Sequence, residues 1–588
     1  MEGGPTARTM PTAPTPPDST TAEMDAALAD LQAHATEWAQ RPLSHKIEML
    51  EGLLPRIADV AGRWVTAASR AKGLAVGSPL RGEEWTSGPW ALANYIAPLA
   101  ETLRHIEAGT VAEALADRTR QRENGQTVVR VMPDGLYDRV LLAGMTADVW
   151  MQPGVTPEAL AETVGTFYQR EAPEGRVALV LGAGNIASIP PLDVLYKLYA
   201  EGEVVLLKMN PVNAYLQPLL EVIFAEFVEA GMVRFASGGA EVGQYLTAHD
   251  AVDTIHMTGS AATHDAIVYG TGDEGARRKA ADEPQIDAPV TSELGGVSPC
   301  LVVPGDWSEP DLVFQAENVA SQKLHNNGFN CIASQVLVLP ERWAQRGAFV
   351  GEVRRVMDEA VDRPTYYPGA PDRLDAFAEA HPSADRLGPS GTRLLAVVSP
   401  DDDEPAFQEE VFGPALAVTA LPGGGTDEDP GDWLERAVDW CNETLTGTLG
   451  ATILIHPRTR RALGDRFEEI LSRLRYGTIG VNVWSGTGYF VAQGMWGAFP
   501  GHTRDDVQSG IGVVHNSWLF ERPQKTVVQG PFAPFPRSLL LGEVHTAPTP
   551  IYFVTNETAE TTARRVTEFA VAPSPTRLPG IVASALRG

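Results

Sequence analysis

The spacing of hydrophobic residues changes along the chain. Between residues 23 and 120, apolar positions recur with the period of an amphipathic helix, which predicts a helical region. From residue 176 onward, short apolar runs such as "RVALVLGAG" and "EVVLLKMN" alternate with amphipathic stretches such as "AYLQPLLEVIFAEFVEAG". Because buried strands separated by helices are typical of a parallel sheet with crossover connections, the sequence predicts an α/β fold.

The same patterns divide the chain into segments. Residues 1–22 are rich in Pro and Thr and predict a disordered lead. Residues 23–290 predict one domain, within which the β-branched and aromatic runs of 127–152 indicate strands that project from the body. A second α/β domain is predicted for 291–515. Residues 516–588 form a C-terminal extension with Pro-broken strands, "SLLLGEV" and "PIYFVT", and one helix.

Charge and cysteine content restrict the partners and the compartment. The 588 residues include 46 basic and 75 acidic side chains, a net charge of −29, which argues against nucleic acid or an anionic membrane as the main partner. Three cysteines without a C-x-x-C pair argue against a disulfide framework and against a metal site. No apolar run reaches the ~20 residues of a membrane span. We therefore expect a cytoplasmic protein that binds no metal.

A glycine turn after the first strand of the α/β region suggests a bound dinucleotide. Residues 182–187, "GAGNIA", match the G-x-G-x-x-A fingerprint, whose glycines let the backbone approach a pyrophosphate. The generic fingerprint also expects an acidic residue at the end of the next strand. That strand ends instead in Lys208, Met209 and Asn210, so the generic Rossmann interpretation fails its own requirement.

One cysteine stands apart from the other two. Cys331 follows the small, polar run "HNNGFN", whereas Cys300 lies in the apolar strand "SPCLVV" and Cys441 in the helix "WLERAVDWCNE". Free cysteine is usually a small buried hydrophobe, which suits Cys300 and Cys441. Cys331 is the candidate nucleophile, a role that requires a base and an oxyanion site elsewhere in the chain.

Ordered motifs connect this cysteine with the glycine turn. Asn185 lies in the turn and Lys208 follows it by 23 residues; then come "SGGAEVGQYL", "HMTGS", "ELGGVSP", the Cys331 segment, "EEVFGP" and "GTIGVNVW". In this order the motifs resemble those of the aldehyde dehydrogenase superfamily, from about residue 40 to about residue 515. The resemblance implies a Rossmann-like NAD(P)-binding domain over 23–290 and a catalytic domain over 291–515.

The resemblance also implies a role for each matching residue. Cys331 is the nucleophile, Glu293 the general base that activates water, and Asn185 a donor to the oxyanion. The residues implied to hold NAD or NADP are Lys208, Gly239, Gly243, Gly259, Ser260, Glu410 and Phe412. Each residue also has a purely structural explanation: Asn185 suits a turn and Glu293 a strand end. The choice of Glu410 over Glu409 rests on the resemblance alone.

The implied activity is oxidation of an aldehyde to a carboxylic acid through a thiohemiacetal and a thioester. The alternative is a CoA-acylating aldehyde dehydrogenase, or acyl-CoA reductase, in which a thiol instead of water resolves the thioester. Acylating relatives generally lack the base that Glu293 supplies. A catalytically silent scaffold on the same fold would have no use for Asn185, Glu293 and Cys331 together.

Departures from the family pattern affect the cofactor and the substrate. Relatives that favour NAD commonly place a Glu three residues after the lysine, where this chain has Pro211. With no Arg in 204–216 either, we expect NAD and NADP to support turnover with efficiencies within roughly a hundredfold.

Four aromatic residues predict either the mouth of a site for an apolar or aromatic aldehyde or ordinary core packing: Trp484, Tyr489, Phe490 and Trp496. Relatives pair strands like those of 127–152 across subunits, which predicts a homodimer or homotetramer.

Overall fold

The computed structural model describes residues 14–401, 403–545 and 548–588. Residues 1–13 of the predicted lead lie outside the described residues. Within the rest of that lead, helix begins at Thr21, because the Thr20 hydroxyl accepts a hydrogen bond from the backbone of Glu23 and the Glu23 carboxylate accepts one from Thr20. Ordered structure therefore starts before the predicted boundary at residue 22.

Helices fill the region between residues 21 and 116, as predicted, and then separate the strands. They are α1 (Thr21–Gln40), α2 (Leu43–Glu51), α3 (Leu53–Ala71), α4 (Arg81–Trp85), α5 (Ala91–Ala108), α6 (Val111–Ala116), α7 (Leu136–Leu141), α8 (Ile189–Tyr196), α9 (Gln217–Ile223), α10 (Ala225–Glu229), α11 (Ala240–Thr247), α12 (Ala261–Val268), α13 (Gly272–Ala281), α14 (Glu309–Leu324), α15 (Arg346–Glu359), α16 (Ala370–Ala380), α17 (Pro405–Gln408), α18 (Pro430–Thr444), α19 (Pro457–Leu463), α20 (Asp465–Arg473), α21 (Ala559–Val571) and α22 (Leu578–Ala585). Within the described ranges, none of these helices has the length and apolar character that crossing a membrane requires.

The strands form two large sheets and one small one. They are β1 (Thr119–Gln121), β2 (Thr127–Met132), β3 (Thr146–Met151), β4 (Val177–Leu181), β5 (Val204–Lys208), β6 (Val233–Ala236), β7 (Thr254–Gly259), β8 (Val290–Leu294), β9 (Ser298–Val302), β10 (Ser334–Pro340), β11 (Asp385–Leu387), β12 (Arg393–Val397), β13 (Ala415–Leu421), β14 (Gly450–Leu454), β15 (Thr478–Val481), β16 (Met495–Trp496), β17 (Gly510–Ile511), β18 (Val514–His515) and β19 (Pro523–Gln529). The small sheet pairs β16 with β18.

The first large sheet has six strands in the order β17-β8-β7-β4-β5-β6. Strands β4 to β8 run parallel, and only β17 is antiparallel to its neighbour. Their apolar residues are buried on both faces, which is why the strands read as continuous hydrophobic runs. Parallel pairing brings the carboxyl ends of β4 to β8 to one edge of the sheet, and the α/β prediction is confirmed.

The second large sheet has eleven strands in the order β1-β2-β3-β19-β15-β14-β9-β10-β13-β12-β11. Strand β19, from the C-terminal extension, pairs antiparallel with β3 on one side and parallel with β15 on the other. Strands β2 and β3 thus extend the sheet of their own chain and are largely buried, whereas the residues between them are half-buried or exposed. The sequence pattern indicated that strands over 127–152 project from the body. The edge of β3 is satisfied within the chain by β19, so the homodimer or homotetramer stays a prediction.

The C-terminal extension differs from its prediction. "SLLLGEV" forms a 3₁₀ turn at Arg537–Leu541 and "PIYFVT" forms turns, whereas the strand of this region lies at Pro523–Gln529. Two helices are present where one was expected. The first packs so closely on α4 that a Cβ added at Gly82 would lie 2.6 Å from the carbonyl carbon of Ala559. The extension is therefore an integral part of the N-terminal helical region.

Candidate active site around Cys331

A run of left-handed residues positions the cysteine. Between α14 and β10, Asn326, Asn327 and Gly328 have φ angles of 50°, 55° and 76°. Asparagine and glycine adopt this conformation at lower cost than other residues, which explains the sequence "HNNG". The resulting turn reverses the chain after α14 and places Cys331 three residues before the start of β10.

The thiol of Cys331 meets the carboxyl group of Glu293. Glu293 comes from β8 in the six-stranded sheet, and Cys331 precedes β10 in the eleven-stranded sheet, so each sheet contributes one partner. Burial raises the pKa of Glu293 to about 7, opposed by the nearby Cys331 thiol. Burial also raises the pKa of Cys331, and the charge of Glu293 raises it further. The thiol and the carboxyl group are therefore close enough to influence each other's ionisation.

Hydrogen bonds hold both the side chain and the backbone carbonyl of Asn185 beside the loop that carries Cys331. Its side-chain Nδ2 donates a hydrogen bond to the carbonyl oxygen of Phe329 at 3.0 Å. Its own backbone carbonyl accepts hydrogen bonds from Lys72 Nζ at 3.1 Å, Asn326 Nδ2 at 3.2 Å and the Tyr366 hydroxyl at 3.3 Å. The amide has two N–H bonds, and in the part of the chain described here only one is used. The second is free to donate to an oxyanion.

Two buried ion pairs support this arrangement, and no sequence pattern predicted either of them. Lys72 Nζ lies 2.9 Å from Glu84 Oε1, with side chains 6% and 1% exposed. Arg363 donates to Glu83 at 2.6 Å, and Glu83 also accepts a hydrogen bond from the backbone of Asn326 at 2.9 Å. The pairs thus hold the strained turn before Cys331 and the backbone of the asparagine opposite it. Charged residues on helices usually face solvent, so nothing in the sequence marked them as buried.

Removing one member of such a pair is expected to destabilise the protein. A Lys72→Met substitution leaves Glu84 buried without its counter-charge, so the free energy of unfolding should fall by about 3–5 kcal/mol. The matched control is Arg342→Met, which breaks an ion pair with Asp427 whose side chains are 58% and 63% exposed and should leave stability almost unchanged. Urea denaturation measures both variants, and equal effects would contradict the prediction.

The residues expected to hold a dinucleotide lie along the carboxyl edge of the six-stranded sheet. Lys208 ends β5, Gly239 precedes α11, and Gly243 lies inside that helix. Gly259 ends β7, and the Ser260 hydroxyl caps α12 by accepting a hydrogen bond from the backbone of Thr263 at 3.2 Å. Open space surrounds the positions where a Cβ of Gly239 or Gly243 would stand. The sheet topology therefore brings the predicted set to one edge.

Glu410 and Phe412 lie between this edge and the cysteine. The Glu410 carboxylate packs on Gly295, where an added Cβ would lie 1.8 Å from its Oε2. Burial raises the pKa of Glu410 to about 8, opposed by the positive charge of Lys323. Its Oε1 is buried without a hydrogen-bond partner among the described residues, so it is available to accept from a ligand. The ring of Phe412 lies 5.8 Å from that of Phe329, between centroids.

A narrow apolar cavity opens on Cys331. All four aromatic residues singled out in the sequence line it, namely Trp484, Tyr489, Phe490 and Trp496. Its free volume is about 30 Å³, which by the usual measure holds about two water molecules. Three of these side chains are buried, and all four form the wall of the space in front of the thiol, so both interpretations of the pattern stay open.

The C-terminal extension supports the wall of this cavity. The Tyr552 hydroxyl accepts a hydrogen bond from the backbone of Trp484 at 3.3 Å and donates one to Asn318 Oδ1 at 2.9 Å. The Trp484 indole in turn donates to the carbonyl oxygen of Ile332 at 3.0 Å, next to the cysteine. Sequence reasoning assigned no role to this extension, and the apolar run around Tyr552 was mistaken for a strand.

The fold and the site together define a class of protein. It is a two-sheet α/β protein in which one sheet supplies a buried thiol, the other supplies a buried carboxyl group, and a glycine-rich edge lies beside them. Within this class, the family model described as "Aldehyde dehydrogenase family" matches residues 144–363. Over these residues the chain is similar to that family, and the curated relatives described below are aldehyde dehydrogenases by name. The structural neighbours show that the fold is shared.

Individual relatives are distant. Coniferyl aldehyde dehydrogenase from Pseudomonas sp. strain HR199 is 29% identical over 261 residues, which cover 41% of this chain and 50% of that protein. The dimeric NADP-preferring aldehyde dehydrogenase of Mus musculus is 22% identical over 65% of this chain and 72% of its own length. Lactaldehyde dehydrogenase from Escherichia coli shares the fold, with a TM-score of 0.56 and 16% identity over 87% of this chain and 91% of that one. The chain spans about half the length of the coniferyl enzyme that it matches.

Proposed function

We propose that this protein oxidises an aldehyde to a carboxylic acid with NAD⁺ or NADP⁺. The observation that carries the proposal is the contact between the Cys331 thiol and the Glu293 carboxyl group, with the anchored amide of Asn185 beside the cysteine loop. A thiol, a base and an oxyanion donor are the three groups that nucleophilic catalysis at a carbonyl carbon requires.

The first step is attack on the aldehyde. The Cys331 thiol loses its proton to water, and the sulfur adds to the carbonyl carbon to give a thiohemiacetal. Negative charge then develops on the former carbonyl oxygen, where the free N–H of Asn185 donates a hydrogen bond. A donor of this kind contributes about 10²–10³-fold to the rate.

The dinucleotide suits the residues along the sheet edge. The ammonium of Lys208, the open backbone at Gly239 and Gly243, and Gly259 with Ser260 at the start of α12 would hold its adenosine and pyrophosphate. Such anionic groups favour helix N-termini. The unpartnered Oε1 of Glu410 would accept from the hydroxyls of the second ribose. When bound, NAD⁺ or NADP⁺ accepts the hydride that converts a thiohemiacetal into a thioester.

Hydrolysis completes the cycle. A carboxylate whose pKa lies at about 7 is well matched to removing a proton from water at neutral pH, and Glu293 has such a pKa. The hydroxide attacks the thioester carbon, the C–S bond breaks, and the carboxylic acid leaves with Cys331 restored. This role for Glu293 favours water over CoA as the acyl acceptor.

The walls of the cavity favour an apolar or aromatic aldehyde. Trp484, Tyr489 and Phe490 present aromatic surface to the space before Cys331, and among the described residues no Asp, Glu, Lys or Arg lines it. A planar ring stacks on such walls without leaving a polar group unpaired. One relative, the coniferyl enzyme, is named for an aromatic aldehyde.

A panel of aldehydes tests the proposed function. The rate of formation of reduced cofactor should be highest with aromatic or long apolar aldehydes, lower with short charged ones, and unchanged by added CoA. Absorbance of the reduced cofactor and chromatography of the acid product provide the readout. Strict dependence on CoA would establish the acylating alternative, and inactivity across the panel with both cofactors would contradict the proposal.

A further inference from the structure

The N-terminal segment before α1 lies on the edge of the six-stranded sheet where the adenosine would bind. The backbone N–H of Ser19 donates to the carbonyl oxygen of Ser237 at 2.8 Å, and the backbone N–H of Ser237 donates to the Ser19 hydroxyl at 3.1 Å. Ser237 is the residue that follows β6, two positions before Gly239. The segment is thus fastened to the turn between β6 and α11.

This attachment brings the carboxylate of Asp18 to the turn. A Cβ added at Gly238 would lie 3.4 Å from the Asp18 carboxyl carbon, so the acid packs directly against the glycine. In the sheet, Lys208 at the end of β5 is paired with Ala236 at the end of β6. Burial lowers the pKa of Lys208, and the negative charge of Asp18 opposes that shift. The carboxylate of Asp18 and the ammonium of Lys208 therefore both lie near the carboxyl ends of β5 and β6.

The loop that follows Lys208 offers no acid of its own. Residues 204–216 contain neither Asp nor Glu, and Pro211 occupies the position where an acidic partner was sought. Of the two asparagines there, Asn210 Oδ1 accepts from the backbone of Val212 at 3.0 Å, and Asn213 is buried with its Nδ2 donating to Ala183 at 2.7 Å. A carboxylate at this edge therefore has to come from elsewhere in the chain.

We propose that Asp18 supplies this acceptor: its carboxylate binds the 2′- and 3′-hydroxyls of the adenosine ribose and disfavours a 2′-phosphate. The assignment rests on the proposed function, since it requires a dinucleotide at this edge. Asp18 is exposed and makes no hydrogen bond within the described part of the chain, so both of its oxygens can accept. Like charges placed together disfavour binding, so NAD⁺ should bind in preference to NADP⁺.

The segment is held firmly enough to serve this purpose. Thr20 and Glu23 cap α1 immediately after Asp18, and the hydroxyl of Tyr245 on α11 donates to Asp25 at 2.5 Å. Both attachments, to Ser237 through Ser19 and to α11 through Asp25, follow Asp18 in the chain. Within the expectation drawn from Pro211 and from the absence of Arg in 204–216, that both cofactors support turnover, this assignment adds a preference for NAD⁺.

Binding of both nucleotides to the full chain without aldehyde tests the assignment. Isothermal titration at low salt should give a Kd for NAD⁺ at least about tenfold lower than that for NADP⁺, because repulsion between charges near the surface is strongest there. An Asp18→Asn variant keeps the shape and removes the charge, and it should reduce that ratio by about tenfold, mainly through tighter NADP⁺ binding. A Glu229→Gln variant, which also removes one exposed negative charge but lies on α10, is the control and should keep the wild-type ratio.

The outcomes separate the assignment from the proposed function. Suppose that both nucleotides bind and that Asp18→Asn leaves the ratio of the two Kd values within about twofold of wild type. Asp18 then has only a structural role, and the assignment is wrong while the proposed function stands. If NADP⁺ binds more tightly than NAD⁺ to the wild type, the assignment also fails. If neither nucleotide binds, the assignment and the proposed function fall together.

Discussion

Replacing Cys331 with alanine is expected to lower kcat/KM for aldehyde oxidation by at least about 10³-fold, because a residue at the centre of a covalent mechanism has no substitute. The protein should stay folded, since the thiol lies at the edge of a cavity and its removal creates little new void. Steady-state rates over the aldehyde panel and the thermal unfolding midpoint are the two measurements.

The other two cysteines are matched controls for this substitution. Cys300 and Cys441 are fully buried in apolar surroundings, and burial raises the pKa of both thiols far above the usual range. Cys300→Ala and Cys441→Ala each lose some packing but should retain nearly all activity. Substantial aldehyde oxidation by the Cys331→Ala protein would remove the covalent mechanism.

A Glu293→Gln variant should release a burst of reduced cofactor, about one equivalent per active site, followed by turnover slowed by about 10²–10⁴-fold. Acylation is less affected than deacylation because hydrolysis needs a base to generate the attacking hydroxide. In the wild type, the base is active only when deprotonated. The hydrolytic rate should therefore rise as pH increases through about 7, the pKa of Glu293, and level off above it.

The pH profile distinguishes catalysis from a structural effect. Glu293→Gln should lose the rise near neutral pH, whereas Glu409→Gln, which alters an exposed carboxylate near the same site, should keep both the rise and the wild-type rate. Rapid-mixing measurements across pH provide the comparison. An unchanged profile in the Glu293→Gln protein would assign the ionisation to another group.

The motifs indicated that Cys331, Glu293 and Asn185 would lie close together, because parallel strands bring their ends to one edge of a sheet. Their catalytic roles stay predictions. The contact between Lys72 and Asn326 joins residues 254 positions apart and follows no local pattern. The attachment of Ser19 to Ser237 joins residues 218 positions apart, and the Pro- and Thr-rich composition around Ser19 indicated disorder.

Strand β19 is a second case in which the local sequence pattern did not predict the structure. The run "PQKTVVQ" of β19 carries too few apolar residues to stand out, whereas "SLLLGEV" carries more and still forms a turn with Leu540 exposed. Strand formation depends on which partners are available, and β19 has one on each side. The residues of β19 alone do not indicate which strands will be available to pair with it.

The place of β19 within the large sheet sets an order of events during synthesis. Gln152, after β3, and Pro523, at the start of β19, are 371 residues apart, so β3 leaves the ribosome about 20–75 s before its neighbour at ordinary elongation rates. During that interval the nascent chain carries an unpaired strand edge, which is a template for aggregation. The eleven-stranded sheet becomes continuous only after translation has passed residue 529, and a ribosome that stops earlier releases a chain whose sheet is split in two.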